Sequence, residues 1–190
     1  AEPDPLVARK ACKTMAEVDG FRQAHLLDGV ALSRFFYWLE TTAVRAQLHE
    51  VELAKELSCY RAASETYICD SFATIVGWRD HGAIVHYRAQ AGQDYTLSGD
   101  GVLLLDSGAH YRSGTTDITR TFYFSEVGQP ADADLVRKAS LVLASHCQLA
   151  LAVFPADTNG VQLDAICRSP LWAEGLDFGH GTGHGVGHIL

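Results

Sequence analysis

Residues 103–124 read LLLDSGAHYRSGTTDITRTFYF, and the order of residue types in this stretch decides the fold. Leu103-Leu104-Leu105 is a short apolar run that ends at Asp106. Gly108 and then Arg112-Ser113-Gly114 supply turn residues. From Asp117 to Phe124 polar and apolar side chains alternate at a period of two. These features predict a strand, a turn region and a second, antiparallel strand. Asp106 and Asp117 then sit on neighbouring strands and can point to the same face. Two ionised carboxylates within ~4–6 Å repel and raise each other's pKa values, so a fold that pairs them sets something cationic between them. The spacing is equally compatible with two turn aspartates that never meet.

A second stretch, Gly179-His180-Gly181-Thr182-Gly183-His184-Gly185-Val186-Gly187-His188, places glycine at every other position, which disfavours a helix. In an extended chain His180, Thr182, His184, Val186 and His188 share one face, and the glycine face lets another backbone or a substrate approach closely. No glycine triple satisfies the dinucleotide fingerprint GxGxxG, and no strand-to-helix context follows. A flexible glycine loop that happens to carry histidines fits the same residues. A row of imidazoles with a carboxylate pair elsewhere suits a divalent transition metal.

Composition narrows the classes. The 190 residues are 47% hydrophobic, enough for one domain with a core. The net charge of -8 is spread along the chain, which reads as a solvated surface and argues against a nucleic-acid partner. No apolar run is long enough to span a bilayer, so no membrane partner is expected. The N-terminal AEPDPLVARK has neither an apolar signal core nor an initiator methionine, and reads as cut from something longer. Five scattered cysteines, Cys12, Cys59, Cys69, Cys147 and Cys167, form no CxxC pair and favour free thiols in a reducing, cytoplasmic compartment.

Outward from the aspartate stretch the elements are as follows. Residues 1–13 read as irregular, broken by Pro3 and Pro5. Thr14-Met15-Ala16-Glu17 is a capping box that starts a helix running to about Glu40, with Val18, Phe21, Leu27, Val30, Ala31, Phe35, Trp38 and Leu39 at helical spacing. A second helix fits His49 to Ala63. Ser71 to Trp78 and Ala83 to Arg88 read as strands separated by the turn Arg79-Asp80-His81-Gly82. Ala91 to Asp100 is a polar loop. Ser125 to Pro130 breaks the chain, and Ala131 to Val153 is a long helix. Val161 to Glu174 is another, which Pro170 should bend or restart. Gly175 ends it before the histidine strand. Helices and antiparallel strands in blocks make an α+β pattern.

DSGAHYRSGTTDITRTF (106–122), LDFGHGTGHGVGH (176–188) and GAIVHY (82–87), in this order, resemble the aminopeptidase P (Xaa-Pro aminopeptidase) branch of the methionine aminopeptidase/prolidase/creatinase superfamily. The likeness extends more loosely from about Lys10 to the last residue. It implies the pita-bread fold, incomplete at the C-terminal end. It also implies hydrolysis of the bond between an N-terminal residue and a following proline by water activated on two divalent ions, manganese first, with zinc or cobalt as alternatives. Carried over position by position, Asp106, Asp117 and His184 are the implied metal ligands, with Asp117 bridging both ions. His86 is implied to contact substrate or shuttle a proton, and His180 to line the proline-side pocket, although spacing alone reads His86 as a packed strand histidine. Thr119, two residues beyond Asp117, shares its face and can hydrogen-bond a ligand carboxylate. His25, His49, His81, His110 and His146 read as surface or packing residues, and His188 matches no family role.

The departures bear on function too. In the family a further histidine and two ligand glutamates follow the glycine-histidine segment, and a creatinase-like domain precedes the catalytic one. Residues 1–190 therefore correspond to the N-terminal and central part of the catalytic domain, and by itself the chain is expected to be inactive. Phe178 stands where the family has a tyrosine, and Arg79-Asp80-His81 where it has a proline-asparagine turn. The implied partners are peptides with proline at the second position and, by analogy, a second copy in a homodimer. Two alternatives share the fold: a prolidase-type dipeptidase and a non-catalytic peptide- or protein-binding module. Creatinase-type sites lack the metal ligands, so the paired aspartates count against that chemistry.

Overall fold

The leucine run and the alternating segment do pair. In the structure, a computed structural model that describes residues 4–42, 47–125 and 128–189, they form strands β3 (Gly101–Ser107) and β6 (Ile118–Phe124). The two are antiparallel, with Asp106 opposite Thr119 and Ser107 opposite Ile118. Strand β2 (Ile75–Trp78) lies on the other edge of β3, so the sheet order is β2-β3-β6. Along β3 the pleat alternates as the sequence does: Leu103, Leu105 and Ser107 are buried, while Leu104 and Asp106 are half-buried.

Between Asp106 and Asp117 the chain does more than turn. Strands β4 (Ala109–Tyr111) and β5 (Gly114–Thr115) form a small hairpin that joins β1 (Tyr67–Asp70) in a second sheet, ordered β1-β4-β5. Gly108 sits where the chain leaves one sheet for the other. A Cβ there would overlap the Thr116 carbonyl oxygen and the Ser71 hydroxyl, so only glycine lets the strands come this close.

Helices cover the buried face. Helix α1 is Pro5–Ala11, α2 Met15–Thr41 and α3 Glu50–Ala62. The α2 capping box forms as read: Glu17 N–H donates to Thr14 Oγ1 at 3.3 Å, and Thr14 N–H donates to Glu17 Oε2 at 2.7 Å. Phe35 and Leu39 of α2, Leu53 and Leu57 of α3, Val76, Trp78, Leu103 and Leu105 of the sheet make the core. Each buried leucine contributes roughly 1.5–3 kcal/mol by leaving water.

The chain separates into two compact units, Ala1–Gly128 with Gly185–Leu190, and Gln129–His184. The second unit is built on α4 (Ala133–Ala150) and α5 (Gly160–Trp172), which pack together.

Four expectations are corrected. Residues 5–11 are helical, because Pro5 at the first helical position is pre-set for the helix and Asp4 Oδ1 accepts the Leu6 N–H at 2.8 Å. Ala83–Arg88 is no strand. Arg79–Ala83 is a 3-10 turn, and Arg79 and His86 both take positive φ of 55°, which breaks any ladder. The turn folds back on β2 so tightly that a Cβ on Gly77 would lie 2.6 Å from Gly82 Cα. Helix α5 continues through Pro170 without restarting and ends two residues later, at Trp172. The glycine-histidine segment forms no strand, since glycine at alternate positions leaves one face without side chains to pack. The break read at Ser125–Pro130 includes residues 126 and 127, outside the described residues.

Candidate metal centre

The carboxylates come from the β3–β6 ladder. Asp106 precedes the buried Ser107, so the pleat turns it to the face opposite the helices. Across the ladder Thr119 Oγ1 donates to Asp106 Oδ1 at 2.9 Å, which puts the two side chains on one face. Asp117, one residue before β6, is half-buried. Its neighbour Thr116 is fully buried and points into the helical side.

His86 lies in the irregular stretch after the 3-10 turn, exposed, with φ of 55°. Its neighbour Tyr87 is held fast: the phenol donates to Glu50 Oε2 at 2.8 Å. Glu50 is fully buried at the start of α3 and also accepts from Trp78 N–H at 2.6 Å, Tyr95 N–H at 3.1 Å and His81 Nδ1 at 3.0 Å. Burial and the bond to Glu50 push the Tyr87 phenol well above its usual range. The His81 ring is packed between Tyr95, stacked at 3.7 Å between centroids, and Tyr87 at 4.4 Å. Thus Arg79-Asp80-His81, one of the departures from the family pattern, supplies a packed histidine beneath the His86 loop.

In the second unit, Arg168 of α5 organises the segment that carries His180 and His184. Its guanidinium donates to Asp164 Oδ2 at 2.8 Å, Asp177 Oδ1 at 2.7 Å, the Phe178 carbonyl at 2.7 Å and the His180 carbonyl at 2.6 Å. It also lies 3.9 Å over the Phe178 ring. Thr182 Oγ1 donates to Asp164 Oδ1 at 2.5 Å, and the Trp172 indole donates to Asp177 Oδ2 at 2.9 Å. Hydrogen bonds from Arg168 and then Thr182 hold Asp164 below the usual carboxylate range. For Asp177 the Trp172 indole is the larger cause and Arg168 the next. His180, Thr182 and His184 border an open hollow of about 750 Å³ whose other lining includes Leu149, Phe154 and Leu163. No motif announces Arg168, although an Asp at i and an Arg at i+4 on a helix is a pairing that sequence can show.

Among the described residues no group of three or more His, Cys, Asp and Glu side chains is gathered to hold a metal ion. The first unit carries Asp106, Asp117 and His86, and the second carries His180 and His184. In donor chemistry the aspartate pair fits a hard or borderline divalent metal: oxygen ligands, half-buried, with one carboxylate oriented by a neighbouring hydroxyl.

The profile of metallopeptidase family M24 matches residues 19–190. The chain belongs to metallopeptidase family M24. Proteins described as "Probable Xaa-Pro aminopeptidase P" from Neurospora crassa and Laccaria bicolor are 44% and 42% identical, each over 98% of this chain. The chain spans 27% and 28% of their lengths. Among solved structures, the X-prolyl aminopeptidase of Caenorhabditis elegans, described as a cytosolic enzyme with a di-nuclear active site, matches with a TM-score of 0.88 and 40% identity. That match covers 98% of this chain and 30% of the other. The X-Pro aminopeptidase of Thermotoga maritima matches with a TM-score of 0.81 and 27% identity, over 96% of this chain and 48% of the other. The M24 chain thus has the pita-bread fold, in the part these residues cover.

Proposed function

We propose that this M24 chain supplies the aspartates and histidines of an Xaa-Pro aminopeptidase, which cleaves the bond between an N-terminal residue and a following proline. The observation that carries the reading is the Asp106 carboxylate on β3, bonded by Thr119 of β6, with Asp117 half-buried just before β6. The 40–44% identity to proteins named for that activity supports it. Asp106, Asp117 and His184 are the residues that would hold divalent metal, manganese first, with zinc or cobalt as alternatives. When bound, a pair of such ions lowers the pKa of a shared water towards ~7 and so makes hydroxide available at neutral pH. Thr119 keeps the Asp106 carboxylate oriented towards the ions. His86, exposed on a loop anchored through Tyr87, contacts the substrate and relays a proton at its imidazole. His180 borders the hollow that takes the proline side. A cytoplasmic location, as described for the Caenorhabditis elegans enzyme, agrees with five unpaired cysteines.

In the full-length protein His86→Ala is expected to lower turnover on Xaa-Pro peptides by roughly 10²-fold or more, with bound metal unchanged. Metal analysis of the purified variant beside Asp117→Ala checks this. A loss of metal in His86→Ala equal to that in Asp117→Ala would make His86 a ligand instead. Cleavage of Xaa-Pro dipeptides but not of longer peptides would turn the reading to a prolidase-type dipeptidase.

A further inference from the structure

On the helical side of the sheet, behind Asp106, lies a buried ion pair. Asp28 of α2 and Arg61 of α3 are both fully buried. Arg61 Nε donates to Asp28 Oδ1 at 2.7 Å and Nη2 donates to Oδ2 at 3.1 Å, a two-pronged contact. Arg61 then reaches strand β3, and Asp28 the link between β5 and β6. Arg61 Nη2 donates to Ser107 Oγ at 3.1 Å, and Thr116 Oγ1 donates to Asp28 Oδ2 at 2.6 Å. Ser107 follows Asp106, and Thr116 precedes Asp117. The pair therefore grips the immediate neighbours of both aspartates, one from each side of the strand crossing.

We propose that Asp28 and Arg61 are positioning residues that fix the separation of the Asp106 and Asp117 carboxylates from behind the sheet. The inference rests on the metal reading of that pair. Two neighbouring carboxylates repel, so the backbone that carries Asp106 and Asp117 has to be held against that repulsion. The β3–β6 register holds Asp106 opposite Thr119 and ends at the Ser107–Ile118 pair, beyond which Thr116 N–H donates to the Ala109 carbonyl at 2.9 Å. Beyond that point the register is held by contacts at Thr116: its hydroxyl bonds Asp28 and accepts the Ala109 N–H at 3.0 Å, and its carbonyl accepts Ser71 Oγ at 2.9 Å. A rigid charged pair transmits position well because its geometry is directional, whereas an apolar filler would let the strands slide. Burying it is demanding: among the described residues Arg61 Nη1 has no hydrogen-bond partner. An apolar pair would fill the space without that penalty.

The test is calorimetric titration of the full-length protein with Mn(II), alongside urea unfolding. Thr116→Val and Ser107→Ala remove one grip each without placing a charge alone in the core. Each is expected to weaken Mn(II) binding by about 3- to 10-fold, and Thr116→Ser, which keeps the hydroxyl, to bind like the parent. Tyr67→Phe removes a half-buried phenol bond to Asp70 in the neighbouring sheet, and should lower stability without moving affinity. Parental affinity in both Thr116→Val and Ser107→Ala, beside a large loss in Asp117→Ala, would overturn the positioning role. So would an equal loss in Tyr67→Phe, which would mark general loosening. Unchanged binding in Asp117→Ala would instead remove the metal reading, and the inference with it.

Discussion

At Asp106 the orientation of a carboxylate hangs on one hydroxyl. Thr119 is exposed, so its bond to Asp106 Oδ1 adds little to folding, and its effect should fall on metal affinity. Thr119→Val is expected to weaken Mn(II) binding by about tenfold while shifting stability by no more than ~0.5 kcal/mol. Thr119→Ser should behave as the parent. A calorimetric titration and an unfolding midpoint measured on the same preparations check both halves, and unchanged affinity in the valine variant would deny the hydroxyl an orienting part. This contact was legible, because period-two alternation places Thr119 and Asp117 on one face and pairing brings Thr119 opposite Asp106. Asp28, Arg61 and Glu50 were not. Each is a lone charge on a helix with no motif around it. Their partners lie between 28 and 88 residues away, a separation that no local pattern encodes.

At the scale of elements, what the sequence reading took for strands at Ala83–Arg88 and 180–188 shows where periodicity misleads. The first is a β-branched and aromatic run, yet it starts at the end of a 3-10 turn and carries His86 at positive φ, with Tyr87 and His81 anchored at Glu50 in place of a ladder. The second is held as far as Thr182 by side chains of α5. That leads to a prediction about pH. Asp164 and Asp177 have depressed pKa values in the fold. Their contribution to ordering residues 177–182 is therefore complete above the unfolded value of about 3.9, and is lost only as pH falls through the lower folded values. Amide protection of 177–182 should then persist to pH ~4 and disappear below it. Arg168→Ala should remove the same protection at neutral pH and leave α4 protected. Hydrogen exchange read by mass spectrometry decides it. Protection lost already between pH 6 and 5, about two units above the carboxylate range, would point to a histidine instead.

Over the whole molecule, the α+β class and the family were legible because three motifs in fixed order constrain far more than any one element. The two-sheet arrangement was not, because a hairpin embedded between two paired strands looks like a turn region in one dimension. The donor set of the whole chain sets the last prediction. Asp106 and Asp117 bring two negative charges, whereas two divalent ions bring four positive ones. At ~4 Å the ions repel by about 4 kcal/mol even with the dielectric constant of water, and by several times more in a half-buried site. An imidazole ligand such as His184 adds no negative charge to offset them. A polypeptide of these 190 residues is accordingly expected to bind Mn(II) weakly, at no more than one site per chain, and to hydrolyse no Xaa-Pro tripeptide. Asp117→Ala should abolish even that binding. Val136, Val142 and Leu143 of α4 are 51%, 57% and 62% exposed, so the same preparation should self-associate as its concentration rises. Calorimetric titration gives the stoichiometry, sedimentation the association, and a hydrolysis assay run beside the Caenorhabditis elegans enzyme the turnover. Two ions bound per chain, or turnover comparable to that enzyme's, would mean that donors beyond Asp106, Asp117 and His184 come together in these residues, and the charge argument would fall.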